Sequence, residues 1–273
     1  MSVFDPINDE SPAALGEHPE MASPARVYDY LLGGSHNFAI DREVGKRLEE
    51  QMPGAAAAVR ANRHFLHRAV RFLITERGVT QFLDLGSGIP TAGNVHEIGQ
   101  ALHSGVRVVY VDVDPVAVAH AVRILADDWR TTAIRADIRE PAAILDDPRV
   151  TSTLDLTKPV AVLAIAVFHF VQDDPGTILA TYLSRLASGS FLALSHADSD
   201  PDPAVQAASD LDYYRSTGVR IATRGPAQIG SWLDELVIEE PGIVPVTEWR
   251  PDGGLLLSAA DIKPVYGAVA RKP

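Results

Sequence analysis

The chain has 273 residues and a formal net charge of −12, a field that repels a phosphate backbone, and no dense Lys/Arg cluster offsets it, so a small molecule or a protein is expected as partner and nucleic acid is not. It contains no cysteine, which excludes disulfides, thiolate metal sites and a cysteine nucleophile. Its hydrophobic content of 46% is ample for a core, yet the longest apolar run, Val160–Phe168, is far too short to span a bilayer; with no basic or apolar leader at the start, a cytoplasmic protein without membrane contact is expected.

Met1–Ser23, with Pro6, Pro12 and Pro19 among scattered acids, reads as a flexible tail. From Pro24, Val27, Tyr28, Leu31 and Leu32 fit a short helix stopped by Gly33-Gly34; Ser35–Ile40 reads as a loop, and Asp41 as the cap of a second helix through about Glu50. After Pro53-Gly54, apolar residues from Val59 to Ile74 share one face of a third helix that ends at Gly78. Gln81-Phe82-Leu83-Asp84-Leu85 is a buried parallel strand broken by Gly86-Ser87-Gly88, with Thr91 or Asn94 as cap of the next helix. Val106–Val111 is a second strand, and Asp114-Pro115 starts a helix whose Val118, Ala121, Val122 and Leu125 should face the sheet. Thr131–Ala136, Val160–Phe168 and Phe191–Ser195 are further strands, with a helix opened by Asp174-Pro175 between the last two. Pro203–Thr217 and Pro226–Leu236 read as helices, and Ile243–Trp249 and Tyr266–Arg271 bring the strands to seven. The alternation predicts one α/β domain over residues 24–273, with a helical extension at 24–78, a Rossmann-like core at 79–273, a mostly parallel sheet and helices on both faces.

Function should concentrate at Gln81–Pro115. Gly86 and Gly88 allow a backbone path and a close ligand approach that a Cβ would block. Asp112 follows Gly88 by 24 residues and ends the second strand, where a nucleotide-binding fold places an acid against ribose hydroxyls. A dinucleotide fingerprint needs a third glycine where this chain has Thr91. Asp84 suits a ligand with a cationic end instead: S-adenosylmethionine carries a sulfonium, an ammonium, a carboxylate, a diol and an adenine, and no phosphate.

Leu83-Asp84-Leu85-Gly86-Ser87-Gly88 and Val109-Tyr110-Val111-Asp112 resemble the first two motifs of class I S-adenosylmethionine-dependent methyltransferases. The phrases Arg26-Val27-Tyr28-Asp29-Tyr30-Leu31-Leu32-Gly33-Gly34 and Asn62-Arg63-His64-Phe65-Leu66 narrow this to a resemblance with a bacterial family of S-adenosyl methyltransferases, over about residues 24–272. The resemblance implies S-adenosylmethionine as cofactor, S-adenosylhomocysteine as product and methyl transfer to an unnamed acceptor. It places Asp84, Gly86, Ser87, Gly88, Asp112 and Val113 against the cofactor, with Asp137 and Ile138 beside the adenine; an N-cap is the alternative for Asp137.

Arg63 and Arg26 compete for the methionine carboxylate, each with a solvated surface role as alternative. The segment Pro24–Ile40 is dense in contact-making residues, among them Tyr28, Gly33 and Asn37, and reads as a lid over the strand carboxyl ends, against the simpler reading of a helix packed on the sheet edge. Ala166 and His169 end the fourth strand, where such enzymes place groups facing the transferring methyl; His169 is a candidate base or a packing residue. His196 with Asp198, and His64 with His67, lack a third ligand for a metal. Two other functions compete: a non-catalytic sensor of S-adenosylmethionine, and an NAD-dependent oxidoreductase, which the missing third glycine and Asp84 oppose.

Overall fold

A computed structural model describes residues 20–90, 93–199, 202–253 and 265–273. The expected tail before residue 20 and the candidate cap Thr91 lie outside them. Three helices come first: α1 (Pro24–Leu32), α2 (Ala39–Gln51) and α3 (Ala55–Thr75). Five parallel strands follow, β1 (Gln81–Leu85), β2 (Arg107–Asp112), β3 (Thr131–Arg135), β4 (Ala161–Ile165) and β5 (Phe191–Ala197). Between them lie α4 (Val95–Leu102), α5 (Pro115–Ile124), α6 (Pro141–Leu145), α7 (Pro148–Thr153) and α8 (Pro175–Ser184). The chain ends with α9 (Pro203–Thr217), α10 (Pro226–Ser231), β6 (Val237–Ile238), β7 (Val244–Pro245) and β8 (Val265–Arg271).

The strands form one eight-stranded sheet in the order β3-β2-β1-β4-β5-β8-β6, with β7 also on β8. β8 runs antiparallel to β5, so the sheet is mostly parallel, as expected. The eighth strand is Val237–Ile238, two exposed residues whose pairing with β8 no local pattern announces. Ile243–Trp249 contributes only Val244–Pro245 as strand, because Trp249 and Val246 turn inward, and Arg68 of α3 donates to both their carbonyls. Pro226–Leu236 is helical only to Ser231.

Strand alternation sorts side chains to the two faces. Leu83, Leu85, Val109 and Val111 pack with the α6–α8 side, whereas Phe82, Val108 and Tyr110 pack with α3 and α4. Asp84 shares parity with Phe82 and so falls on the α3 face, paired in register with Tyr110. On α5, Ala117 and Ala121 are buried but Val122 is 52% exposed, correcting its expected inward position. Asp114 and Asp174 cap α5 and α8 as expected. Asp41 does not cap α2 from outside; it sits in the first turn and accepts the Phe38 N–H at 2.8 Å.

A third, smaller apolar cluster joins the first two helices to α9. Ala22, Val27, Leu31, Val44 and Tyr213 pack together, with Phe170 partly buried against them. Polar ties run parallel to it: Arg47 pairs with Asp212 at 3.2 Å, and the Ala22 N–H donates to the Ser216 carbonyl. Thus α1, α2 and α9 form a helical cap that meets the core at the carboxyl ends of β2 and β4.

Candidate cofactor site

The loop after β1 is stitched to the end of β2. The N–H groups of Gly86 and Ser87 both donate to the Val111 carbonyl, at 2.8 and 3.1 Å. Gly88 N–H donates to Asp112 Oδ2 at 2.7 Å, and Asp114 N–H to Asp112 Oδ1 at 2.9 Å. Gly86 and Gly88 have φ of 65°, which side-chain-bearing residues rarely adopt. A Cβ at Gly86 would also overlap Val167, the second residue past β4. The loops after β1 and β4 therefore touch, and they leave a crevice at the strand ends where α/β folds bind ligands.

Arg63, Asp84, Ser87 and Gly88 line one small cavity together with Asn94 and Tyr110. Asp84 is 6% exposed, and burial pushes its carboxyl up to about 7 against the opposing charge of Arg63, with Asp112 raising it further. Burial also raises Asp112, opposed by the amides of Asp114 and Gly88. Tyr28 lies over the same region: burial raises its phenol, Arg63 lowers it, and its hydroxyl accepts from Asn62 Nδ2 at 2.9 Å.

Other sequence-predicted residues are placed differently. Arg26 is 5% exposed and engaged by Asp41 Oδ2 at 2.9 Å, Asp114 Oδ2 at 3.2 Å and the Met21 carbonyl, so it is a structural clamp, which corrects its candidacy for the methionine carboxylate. Gly33 is the left-handed C-cap of α1, and Gly34 gives way to the Asp29 carboxylate; this pair closes a helix end rather than admitting a ligand. Asn37 donates to Asp29 Oδ2 at 2.8 Å, so it too braces this turn. Val113, the residue after β2, is 62% exposed, and Ile138, in the segment after β3, is buried. Asp137 receives the Arg139 N–H and guanidinium, which hold its carboxyl below the usual range; Glu140, not Asp137, caps α6.

The fourth strand ends at Ile165, short of the expected Phe168, because Ala166 takes a φ of 52° and turns the chain into a 3-10 turn at Phe168–Phe170. His169 sits in that turn with its ring 5.7 Å from that of His196, and burial holds it neutral, down to about 3, with the charges of His196 and Arg224 acting in the same direction. Its Nδ1 is buried without a hydrogen-bond partner among the described residues. Arg224, absent from the sequence reading, donates to the carbonyls of Phe168, Val171 and Asp173 and holds this turn in place. No local signal marks Arg224. Tyr110 was legible in principle, as a polar-tipped residue on a buried strand in register with Asp84. Ser195 bonds Asn62, and His196 Nδ1 contacts the Ala197 carbonyl. Among the described residues no cluster of three or more His, Cys, Asp or Glu is placed to hold a metal. No described helix is long and apolar enough to cross a membrane.

The profile of a family described as S-adenosyl methyltransferase matches residues 16–273. The chain belongs to this family. Two solved structures agree in fold and sequence with this methyltransferase. One, a DUF574 family protein from Streptomyces avermitilis MA-4680, is 40% identical over 93% of this chain and 98% of its own, with a TM-score of 0.87. The other, a protein of Thermobifida fusca YX classed as a methyltransferase, is 35% identical over 92% of this chain and 95% of its own, with a TM-score of 0.86. No curated protein is matched by the sequence. S-adenosylmethionine is the cofactor of the family, and the residues of this methyltransferase fit it. The buried carboxyl of Asp84 faces a cavity that also holds Arg63, Asp112 is fixed at the second strand end, and at Gly88 the loop is open, with nothing within 4 Å of where a Cβ would stand.

Proposed function

We propose that the chain is an active S-adenosylmethionine-dependent methyltransferase acting on a small molecule that bears a neutral O–H or N–H. The observation that carries this reading is the convergence of Arg63, Asp84 and the Gly86–Gly88 loop on one cavity, with Asp112 bonded to Gly88. Asp84 faces the ammonium end of the cofactor, Arg63 offers a guanidinium fork to its carboxylate, and Asp112 accepts from the ribose diol. Ile138 and the backbone near Asp137 flank the adenine, and Tyr28 covers the methionine end. The bound cofactor would supply an activated methyl and a neutral thioether leaving group, so no protein acid is called for, and the proton displaced from the acceptor O–H or N–H passes to water.

Low basicity makes His169 a poor store for a proton, and its free Nδ1 is better suited to accept a hydrogen bond that orients the acceptor. α1 and the turn after it act as the cover that shuts out water. The low basicity of His169, the histidine at the end of β4, favours a second reading, a sensor that binds the cofactor without turnover.

Thermal denaturation tests the ligand. S-adenosylhomocysteine at 100 times its dissociation constant should add about 2.7 kcal/mol and raise the midpoint by about 5–10 °C, and NAD should not. A shift with NAD alone would overturn the assignment. Methyl-labelled cofactor with a size-fractionated extract tests turnover: label should enter a low-mass fraction. Binding without any transfer would support the sensor.

A further inference from the structure

A chain of hydrogen bonds, buried at its Ser195–Asn62 link, joins the end of β4 to the cap. The N–H of Ala166 donates to Ser195 twice, to the carbonyl at 3.1 Å and to Oγ at 3.0 Å. Ser195 Oγ donates to Asn62 Oδ1 at 2.5 Å, Asn62 Nδ2 donates to the Tyr28 hydroxyl at 2.9 Å, and that hydroxyl donates to the Val59 carbonyl at 3.3 Å. Ser195 is 1% exposed and Asn62 2%. The chain thus runs from the end of β4, through β5 and α3, to α1.

Its starting point is strained. Ala166 holds a left-handed φ of 52°, a conformation that costs a residue with a Cβ free energy and persists only when its surroundings enforce it. The two bonds from its N–H to Ser195 are the enforcement. The strained turn also has a consequence for the site, since the next residue, Val167, is the one packed against Gly86. Asn62 has both its amide oxygen and its amide nitrogen committed, so it fixes the Ser195 and Tyr28 oxygens relative to each other.

We propose that Ser195 and Asn62 are positioning residues: they hold the Ala166 turn so that Val167 closes on the glycine loop, and they couple that turn to Tyr28 in the cap. This rests on the reading that the crevice takes S-adenosylmethionine. Loss of the Ser195 hydroxyl removes the side-chain half of this enforcement and leaves only the bond to the Ser195 carbonyl, which should let Ala166 relax, withdraw Val167 from Gly86 and open the crevice.

The test is S-adenosylhomocysteine affinity by calorimetry in the full chain, with thermal melting as the check on folding. Ser195→Ala should weaken binding at least fivefold. The double variant Ser195→Ala/Ala166→Gly should recover to within about twofold of the original affinity, because glycine takes the left-handed turn without strain. A general loss of packing at β5 would not be repaired by a glycine on β4, so failure of the rescue overturns the proposal, as does an unchanged affinity in folded Ser195→Ala. If Ser195→Ala does not fold, Asn62→Ala carries the same test: weaker binding rescued by Ala166→Gly supports the proposal, and unrescued or unchanged binding overturns it. Should the unaltered protein bind no S-adenosylhomocysteine, the proposed function fails first; binding by the original with equal binding by the variants sinks this inference alone.

Discussion

Arg26 and Asp114 lie 88 residues apart in the chain, and their guanidinium and carboxylate meet at 3.2 Å with both side chains almost wholly buried. Asp41 completes a triad on the other edge of the guanidinium, and the Ser23 hydroxyl bonds Asp114 as well. The same Asp114 caps α5 and sends its N–H to Asp112, so the clamp that pins α1 is two residues from the acid proposed to receive the ribose. Removing one member of a buried ionic cluster strands the others away from water, at a cost of about 3–5 kcal/mol. Asp114→Ala should therefore cost far more than the ~1 kcal/mol of a lost helix cap. Arg149→Ala, at the largely exposed pair with Asp147, should cost at most about 1 kcal/mol. Urea unfolding of both variants checks the contrast, and equal losses would remove the clamp from the account.

Substitution of Asp112 should act on affinity through two routes. Asp112→Ala removes the proposed acceptor for the diol and frees the amides of Gly88 and Asp114. Hydrogen bonds to a charged group contribute about 1.5–3 kcal/mol each, so S-adenosylhomocysteine binding should weaken by roughly 2–4 kcal/mol in calorimetry. An affinity within twofold of the original would mean that another residue receives the ribose.

The two glycines of the loop should not be equivalent. Both have φ of 65°, so alanine at either position incurs about 1–2 kcal/mol of backbone strain. Only Gly86 also faces an obstacle, Val167, whereas a Cβ at Gly88 meets nothing within 4 Å. Overpacking adds about 1–3 kcal/mol, so Gly86→Ala should be the more destabilised variant in denaturant titration. The reverse order would place Val167 elsewhere.

The pH dependence of stability follows from buried groups that oppose each other. Burial keeps His169 neutral down to about 3, and His67 and His196 down to about 4. A depressed histidine means that the folded state binds fewer protons than the unfolded one below 6.5, so stability falls as pH drops through that value. Asp84 has the opposite sign. Its carboxyl is raised to about 7, so the folded state binds the extra proton, and its contribution is complete below about 3.9 and lost as pH rises to about 7. Three depressed histidines outweigh one raised aspartate, so stability should fall as the pH drops from about 7 towards 4. Asp84→Asn should steepen the acid loss and flatten the neutral side. A cationic ammonium beside Asp84 favours its ionised form, so cofactor binding near pH 6.5 should release a proton, measurable by calorimetry in two buffers of different ionisation enthalpy. Unchanged pH profiles in Asp84→Asn would show that the carboxyl is already ionised.

Local pattern was enough to read the parallel core, the glycine loop and the acid at the end of β2. A buried strand cut by glycine, and aspartates before proline at helix starts, are signals carried by a few adjacent residues, and Asp114 and Asp174 cap their helices accordingly. Extents that depend on partners were not legible. β6 exists because β8 offers it an edge, and β4 stops at Ile165 because Ser195, 29 residues on, holds Ala166 in a left-handed turn. The fate of the arginines was likewise decided in three dimensions. Arg26 and Arg63 look alike in sequence, but one is enclosed by carboxylates from α2 and the start of α5, and the other opens onto Asp84. A guanidinium takes its role from the charges that the fold brings to it across tens of residues, and those distances are set by packing of the helical cap on the sheet, which no short stretch of sequence specifies.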